Sequence, residues 1–148
     1  KAMNMVQVYI KGQEDKELSS FLRYYPVRIK NIGMDAFFDR QVVYDFKDDR
    51  NHADVAKCVA KMLIKVVGER TAVHGTKVKK DERAKRLKEK NNIEVDANFF
   101  KNKIVCIWDD VVTTGTSFCA YTAQLEQVGA HVTNGIFLGK TSYKYVQQ

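Results

Sequence analysis

Proline is nearly missing from this chain: Pro26 is the only one in 148 residues. Cysteine is scarce too, and Cys58, Cys106 and Cys119 are odd in number, which argues against a disulfide framework. All three fall in expected core elements, so reduced thiols and a cytoplasmic location are the simplest expectation. His52, His74 and His131 are scattered without zinc-site spacing, and structural or surface roles suit them better. No apolar run approaches the roughly 18 residues that a membrane span requires, and the start, Lys1-Ala2-Met3-Asn4, has no signal-peptide core. Internal repeats and low-complexity stretches are absent as well. A Walker-type nucleotide loop is disfavoured, because Gly139-Lys140-Thr141 lacks the upstream glycine.

What remains is an ordinary globule. A hydrophobic share of 45% with 29% charged residues fits a single domain over residues 1–148. Residues 1–41 read as a cap or hood and 42–148 as the core. In the first segment, Met5 to Lys11 reads as a strand, Lys16 to Tyr25 as a short helix stopped at Pro26, and Val27 to Ile32 as another strand. Phe21, Tyr24, Tyr25, Phe37 and Phe38 crowd this region. Packing onto the sheet is their plain reading, and a base-stacking platform the sharper one.

The most specific stretch is Ile104 to Ser117, IVCIWDDVVTTGTS. Ile104 to Trp108 is an uninterrupted apolar run of strand length, suited to a strand buried on both faces of a parallel sheet. Asp109 and Asp110 then fall at the carboxyl end of a central strand, where open α/β sheets bind ligands. In Thr113, Thr114, Gly115, Thr116 and Ser117, the glycine permits a tight turn and the hydroxyls add donors. Thr116 or Ser117 can cap the helix that follows. Phe118, Tyr121, Leu125 and Val128 give that helix one apolar face, Gly129 ends it, and His131 to Leu138 reads as the next strand. A phosphate in the turn would meet N–H groups and the positive end of the helix dipole. Each charge-assisted bond to it would contribute about 1.5 to 3 kcal/mol. Two carboxylates beside an anion need a different target, such as ribose hydroxyls or Mg²⁺ with its waters. A ribose carrying a 5-phosphate combines these groups.

IWDDVVTTGTS resembles the PRPP-binding motif of the type I phosphoribosyltransferases. The resemblance implies a Rossmann-like α/β fold, a mostly parallel sheet flanked by helices. It implies phosphoribosyl transfer to a nitrogen acceptor with pyrophosphate release, and Mg²⁺ carried with PRPP. Asp109 and Asp110 would contact the ribose hydroxyls and lie near the metal without caging it. Thr113, Thr114, Gly115, Thr116 and Ser117 would bind the 5-phosphate, and GIFLGKT resembles the last core strand of the family. Within the family the chain is most similar to ComF-like, competence-associated proteins. Val42-Val43-Tyr44-Asp45-Phe46-Lys47 resembles their strand leading to Phe-Lys, Ala53 to Val67 their amphipathic helix and, loosely, Asp81 to Phe100 their Arg-containing segment.

One departure stands beside these matches. The family places a strand, a pyrophosphate loop, a helix, a strand and a flexible loop between landmarks equivalent to Val67 and Ile104. Here about three dozen residues separate them, while one βαβ unit takes roughly 30, and no pyrophosphate loop is recognisable. This interval also holds most of the positive charge. Lys77 to Lys90 contains eight basic and three acidic residues, a net +5 of the formal +7. The run reads as a solvated helix face, as a lid that brings Lys77, Lys79 or Lys80 to the leaving pyrophosphate, or as a nucleic-acid surface. The alternative function is a non-catalytic PRPP or nucleotide binder, or a nucleic-acid-associated accessory protein. Homodimerisation is compatible with either.

Overall fold

Seven register pairs join the parallel strands Glu17–Tyr24 and His131–Thr141 at the centre of the fold. The computed structural model describes residues 5–48, 50, 52–67, 76–77 and 94–146. The elements in chain order are β1 (Val6–Gln7), β2 (Glu17–Tyr24), α1 (Met34–Lys47), α2 (His52–Val67), β3 (Thr76–Lys77), β4 (Glu94–Val95), α3 (Ala97–Phe100), β5 (Ile104–Val112), α4 (Thr116–Gln127) and β6 (His131–Thr141). The main sheet has the order β1-β2-β6-β5, with β2, β6 and β5 parallel and β1 antiparallel to β2. β3 and β4 form a separate antiparallel pair.

The sheet is covered on both faces because β6 is apolar on both. Successive side chains of a strand point to opposite faces. Phe137 packs with Leu18, Phe118 and Leu125 in one cluster, while Ile136 and Leu138 pack with Phe21, Val43 and Val59 in the other. Thus α4 lies on one face and α1 with α2 on the other. Ile136 and Phe137 are each 1% exposed, and burial of such a side chain contributes about 1.5 to 3 kcal/mol. The fold is therefore α/β, a mostly parallel four-stranded sheet flanked by helices. Among the described residues no helix is long and apolar enough to cross a membrane.

Several expectations are corrected. Lys16 to Tyr25 is not a helix, since Glu17–Tyr24 is strand β2 inside the main sheet. ELSSFLRY contains no β-branched residue and spaces its apolar groups helically, but burial on both faces and pairing with β6 override that preference. Within the segment expected as a cap, β1 and β2 are accordingly strands of the main sheet. Val27 to Ile32 forms no strand. The Arg40 guanidinium donates to the carbonyls of Tyr25, Pro26 and Ile29, so one of the segment's own acceptors and the two just ahead of it are held in a loop. Val42 to Lys47 is the end of α1, where Val42, Val43 and Phe46 pack at helical spacing toward the sheet. Met5 to Lys11 shrinks to the two-residue β1, with Val8 and Ile10 passing into the core.

The second half follows the sequence reading more closely. α4 ends where expected: the N–H of Gly129, at φ 94°, donates to Glu126 O at 3.0 Å, and the Ala130 N–H donates to Leu125 O at 3.0 Å. That pair of bonds is the Schellman arrangement, which favours glycine at this place. β6 covers the expected strand and runs three residues further, to Thr141. β5 departs in two ways. It continues past the acids to Val112, and among the described residues it is an edge strand rather than a central one.

Candidate functional site

β2, β6 and β5 are parallel, so their carboxyl ends, Tyr24, Thr141 and Val112, share one edge of the sheet. Chain leaves this edge at Tyr25, at Thr113 and at Ser142, whose N–H donates to Tyr24 O at 2.8 Å. The candidate site is the exit at Thr113, after the edge strand β5.

Asp109 and Asp110 lie within β5, two or three residues before its end, and both are half-buried. The Asp110 N–H donates to Asp109 Oδ1 at 2.8 Å, and the Val111 N–H donates to Asp110 Oδ1 at 2.7 Å. Each carboxylate is thus oriented by the next amide along the chain. A carboxylate has four acceptor positions, so one such bond leaves Asp110 capacity for a ligand.

The turn after β5 exposes its hydroxyl residues and buries its glycine. Thr113, Thr114, Thr116 and Ser117 are exposed, whereas Gly115 is buried against Ile10. Gly115 has φ +87°, and a Cβ there would fall 2.7 Å from the Ile10 side chain. Both the left-handed backbone and the contact demand glycine. Gly115 is itself the N-cap of α4, with no side-chain cap, and its carbonyl accepts from the Cys119 N–H at 2.9 Å. The expectation that Thr116 or Ser117 caps the helix is therefore corrected: both are in its first turn. Thr114 Oγ1 and Thr116 Oγ1 are 3.0 Å apart. The result is a helix N-terminus ringed by exposed hydroxyls, suited to an anion.

Two residues missed in the sequence reading anchor this turn. The Lys140 ammonium donates to Thr113 O at 2.9 Å and to Thr141 O at 3.2 Å. Thr113 Oγ1 and Thr141 Oγ1 share a hydrogen bond of 2.8 Å. Burial holds the Lys140 ammonium below the usual lysine pKa. The only sequence signal was position: a lysine and a threonine ending the strand parallel to β5.

The remaining candidate residues belong to other elements or lie outside the described residues. The Lys77 backbone pairs with Glu94 in the small β3–β4 ladder. Lys79, Lys80 and the remainder of the basic run to Lys90 lie outside the described residues, as does His74. His131 opens β6 at its far end and is exposed. Among the described residues no three His, Cys, Asp or Glu side chains gather as a metal site. Cys106 and Cys119 are half-buried and form no disulfide, but Cys58 is exposed, so the core expectation fails for that thiol. Nor do the five aromatics share one surface. The buried Phe21 packs at a tilt against Trp108 and the buried Tyr25 edge-to-face against Tyr145, while Phe37 and Phe38 remain exposed on α1. Comparisons with family models, curated proteins and solved structures return no match to this chain.

Proposed function

We propose that the carboxyl end of β5 binds a ribose carrying a 5-phosphate, with PRPP as the leading ligand. On this reading the chain is a type I phosphoribosyltransferase-like protein, transferring phosphoribosyl to a nitrogen acceptor with release of pyrophosphate. The observation that carries the proposal is the sequence of chemistry along β5–α4: two oriented carboxylates, then exposed hydroxyls, then a glycine-capped helix N-terminus. Asp109 and Asp110 would hold the ribose hydroxyls, and Thr113, Thr114, Thr116 and Ser117 with the first amides of α4 would hold the 5-phosphate. Gripping the remote phosphate orients C1 for displacement, and binding energy realised there supports catalysis by positioning.

Mg²⁺ suits this site as an ion carried by the ligand, with the two acids alongside. When bound it would offset the charge of the pyrophosphate. The Asp110 carboxylate keeps its orientation through the Val111 amide and contributes negative charge next to the hydroxyls.

Titration calorimetry with PRPP and Mg²⁺ tests the site. Asp110→Asn keeps an oxygen for the Val111 amide but removes the charge, and the expected loss is about tenfold or more in affinity. Thr114→Val removes one exposed hydroxyl with little change of shape and should also weaken binding. If both variants bind like the parent, the assignment is wrong. A second reading, binding without turnover, is favoured by the lack of a recognisable pyrophosphate loop between Val67 and Ile104. Saturable PRPP binding with no pyrophosphate release would select it. A steep salt dependence of DNA binding would select the nucleic-acid alternative for Lys77 to Lys90.

A further inference from the structure

We propose that Arg23 and Lys140 together form a cationic subsite for a phosphate group, beside the turn of Thr113 to Ser117. The inference rests on the reading of that turn as a phosphate site and adds two residues to it. Arg23 of β2 and Lys140 of β6 are register partners, one residue before each strand ends. Partners in a parallel pair project from the same face, and adjacent strands lie about 4.8 Å apart. Two basic residues therefore leave neighbouring backbone positions on the sheet edge that carries the turn, and the Lys140 ammonium reaches the turn itself at Thr113 O. On β5 the register partner of Lys140 is the neutral Val112.

Like charges in adjacent positions repel. A half-buried ammonium without an opposite charge also carries a desolvation cost. Among the described residues neither Arg23 nor Lys140 makes an ion pair. Lys140 uses two donors on the carbonyls of Thr113 and Thr141, and an ammonium has three. Arg23 is exposed, with its guanidinium available. Arg40 shows that carbonyls alone can hold a cation structurally in this fold. What separates Lys140 from it is the second cation in register and the adjacent turn of hydroxyls. A phosphate oxyanion would relieve the repulsion, complete the third donor of Lys140 and accept a forked contact from Arg23.

The shared chemistry is a phosphate group, carried either as a sugar 5-phosphate or as pyrophosphate. Calorimetric titration of the full chain with ribose 5-phosphate and, separately, with inorganic pyrophosphate distinguishes the two. The variants are Arg23→Glu, Arg23→Lys, Lys140→Met and Thr114→Val, with thermal unfolding of each as a folding control. Arg23→Glu changes an exposed side chain and keeps the test open if Lys140→Met disturbs the turn. We expect Arg23→Glu and Lys140→Met to weaken the same ligand by about ten- to a hundredfold, the range for one charge-assisted bond. Arg23→Lys should restore most of the affinity. The subsite is overturned, with the turn reading intact, if Thr114→Val weakens ribose 5-phosphate while the Arg23 and Lys140 variants bind both ligands like the parent. Loss in Lys140→Met with none in Arg23→Glu also overturns it, since Lys140 would then only position Thr113. If the parent chain binds neither ligand, subsite and turn reading fall together.

Discussion

Two lysines, each tying α4 or its leading turn to another part of the chain, are satisfied in opposite ways. Lys16, whose side chain is 4% exposed, sits between Asp15 at 3.2 Å and Glu126 of α4 at 3.0 Å. Lys140 meets only carbonyl oxygens, and its strand neighbour is a second cation. The first region is electrically closed and reads as architecture: a turn fastened to a helix. In the second, the ammonium has no carboxylate on it, and it lies at the edge where the parallel strands end. A balanced buried charge speaks for structure, and an unbalanced one points to a partner.

The comparison breaks most sharply at Gly115. Gly115→Val forces a β-branched residue to φ +87° and drives its Cβ into Ile10 at 2.7 Å. The expected cost is about 2 to 4 kcal/mol, read as a lower urea midpoint. Because the Cβ points to Ile10 and not toward the hydroxyls, phosphate binding should be lost through a displaced turn rather than a filled one. The Lys16 contacts should survive in an amide-exchange map.

Lys16→Met comes next and sharpens the other side. It removes both ion pairs but leaves Glu126 about half in water, with 45% of its side chain exposed. We therefore expect a loss of about 1 to 2 kcal/mol in chemical unfolding, near the surface end of ion-pair values. Affinity for ribose 5-phosphate should not change. A large fall in that affinity would merge the two regions into one functional unit.

The smallest effect is in the pH dependence, where the two lysines should have opposite signs. For Lys16, burial lowers the pKa, but the carboxylates of Glu126 and Asp15 outweigh it and the net shift is upward from 10.5. Its stabilising contribution is then complete below pH 10.5 and declines as pH rises through the raised value. For Lys140, burial lowers the pKa from 10.5. The folded protein releases that proton before the unfolded chain does, so this contribution grows as pH rises from the lowered value toward 10.5. Unfolding midpoints between pH 8 and 11, measured for the parent, Lys16→Met and Lys140→Met, check both signs. A parallel pH profile in all three proteins would show that neither lysine carries its assigned environment.

Legibility in the sequence followed the locality of the interactions. The β5–α4–β6 unit was readable because its signals are local: an apolar run, Gly115, helical spacing at Phe118 and Leu125, and Gly129 at a left-handed C-terminus. β2 was misread because ELSSFLRY has no local strand preference and acquires its state by pairing with β6, more than a hundred residues away. The end of α1 was misread for the converse reason: Val42-Val43-Tyr44 looks like a strand until Val43, 0% exposed, is seen filling the space above Gly139. The acids and hydroxyls of the candidate site were visible as residues. Their cationic surroundings were not, since Arg23 and Lys140 become neighbours in the backbone only through strand register.

By itself the sequence determined the order of chemical groups along one stretch: apolar strand, two carboxylates, five small turn residues, amphipathic helix. Covalent neighbours and short-range dihedral preferences suffice for that. Which strand lies beside which, that the aspartates sit inside β5 and not beyond it, and that two cations share an edge with the turn were decided only by tertiary structure. Pairing and burial join residues far apart in the chain, and a single sequence carries no local signal of that meeting.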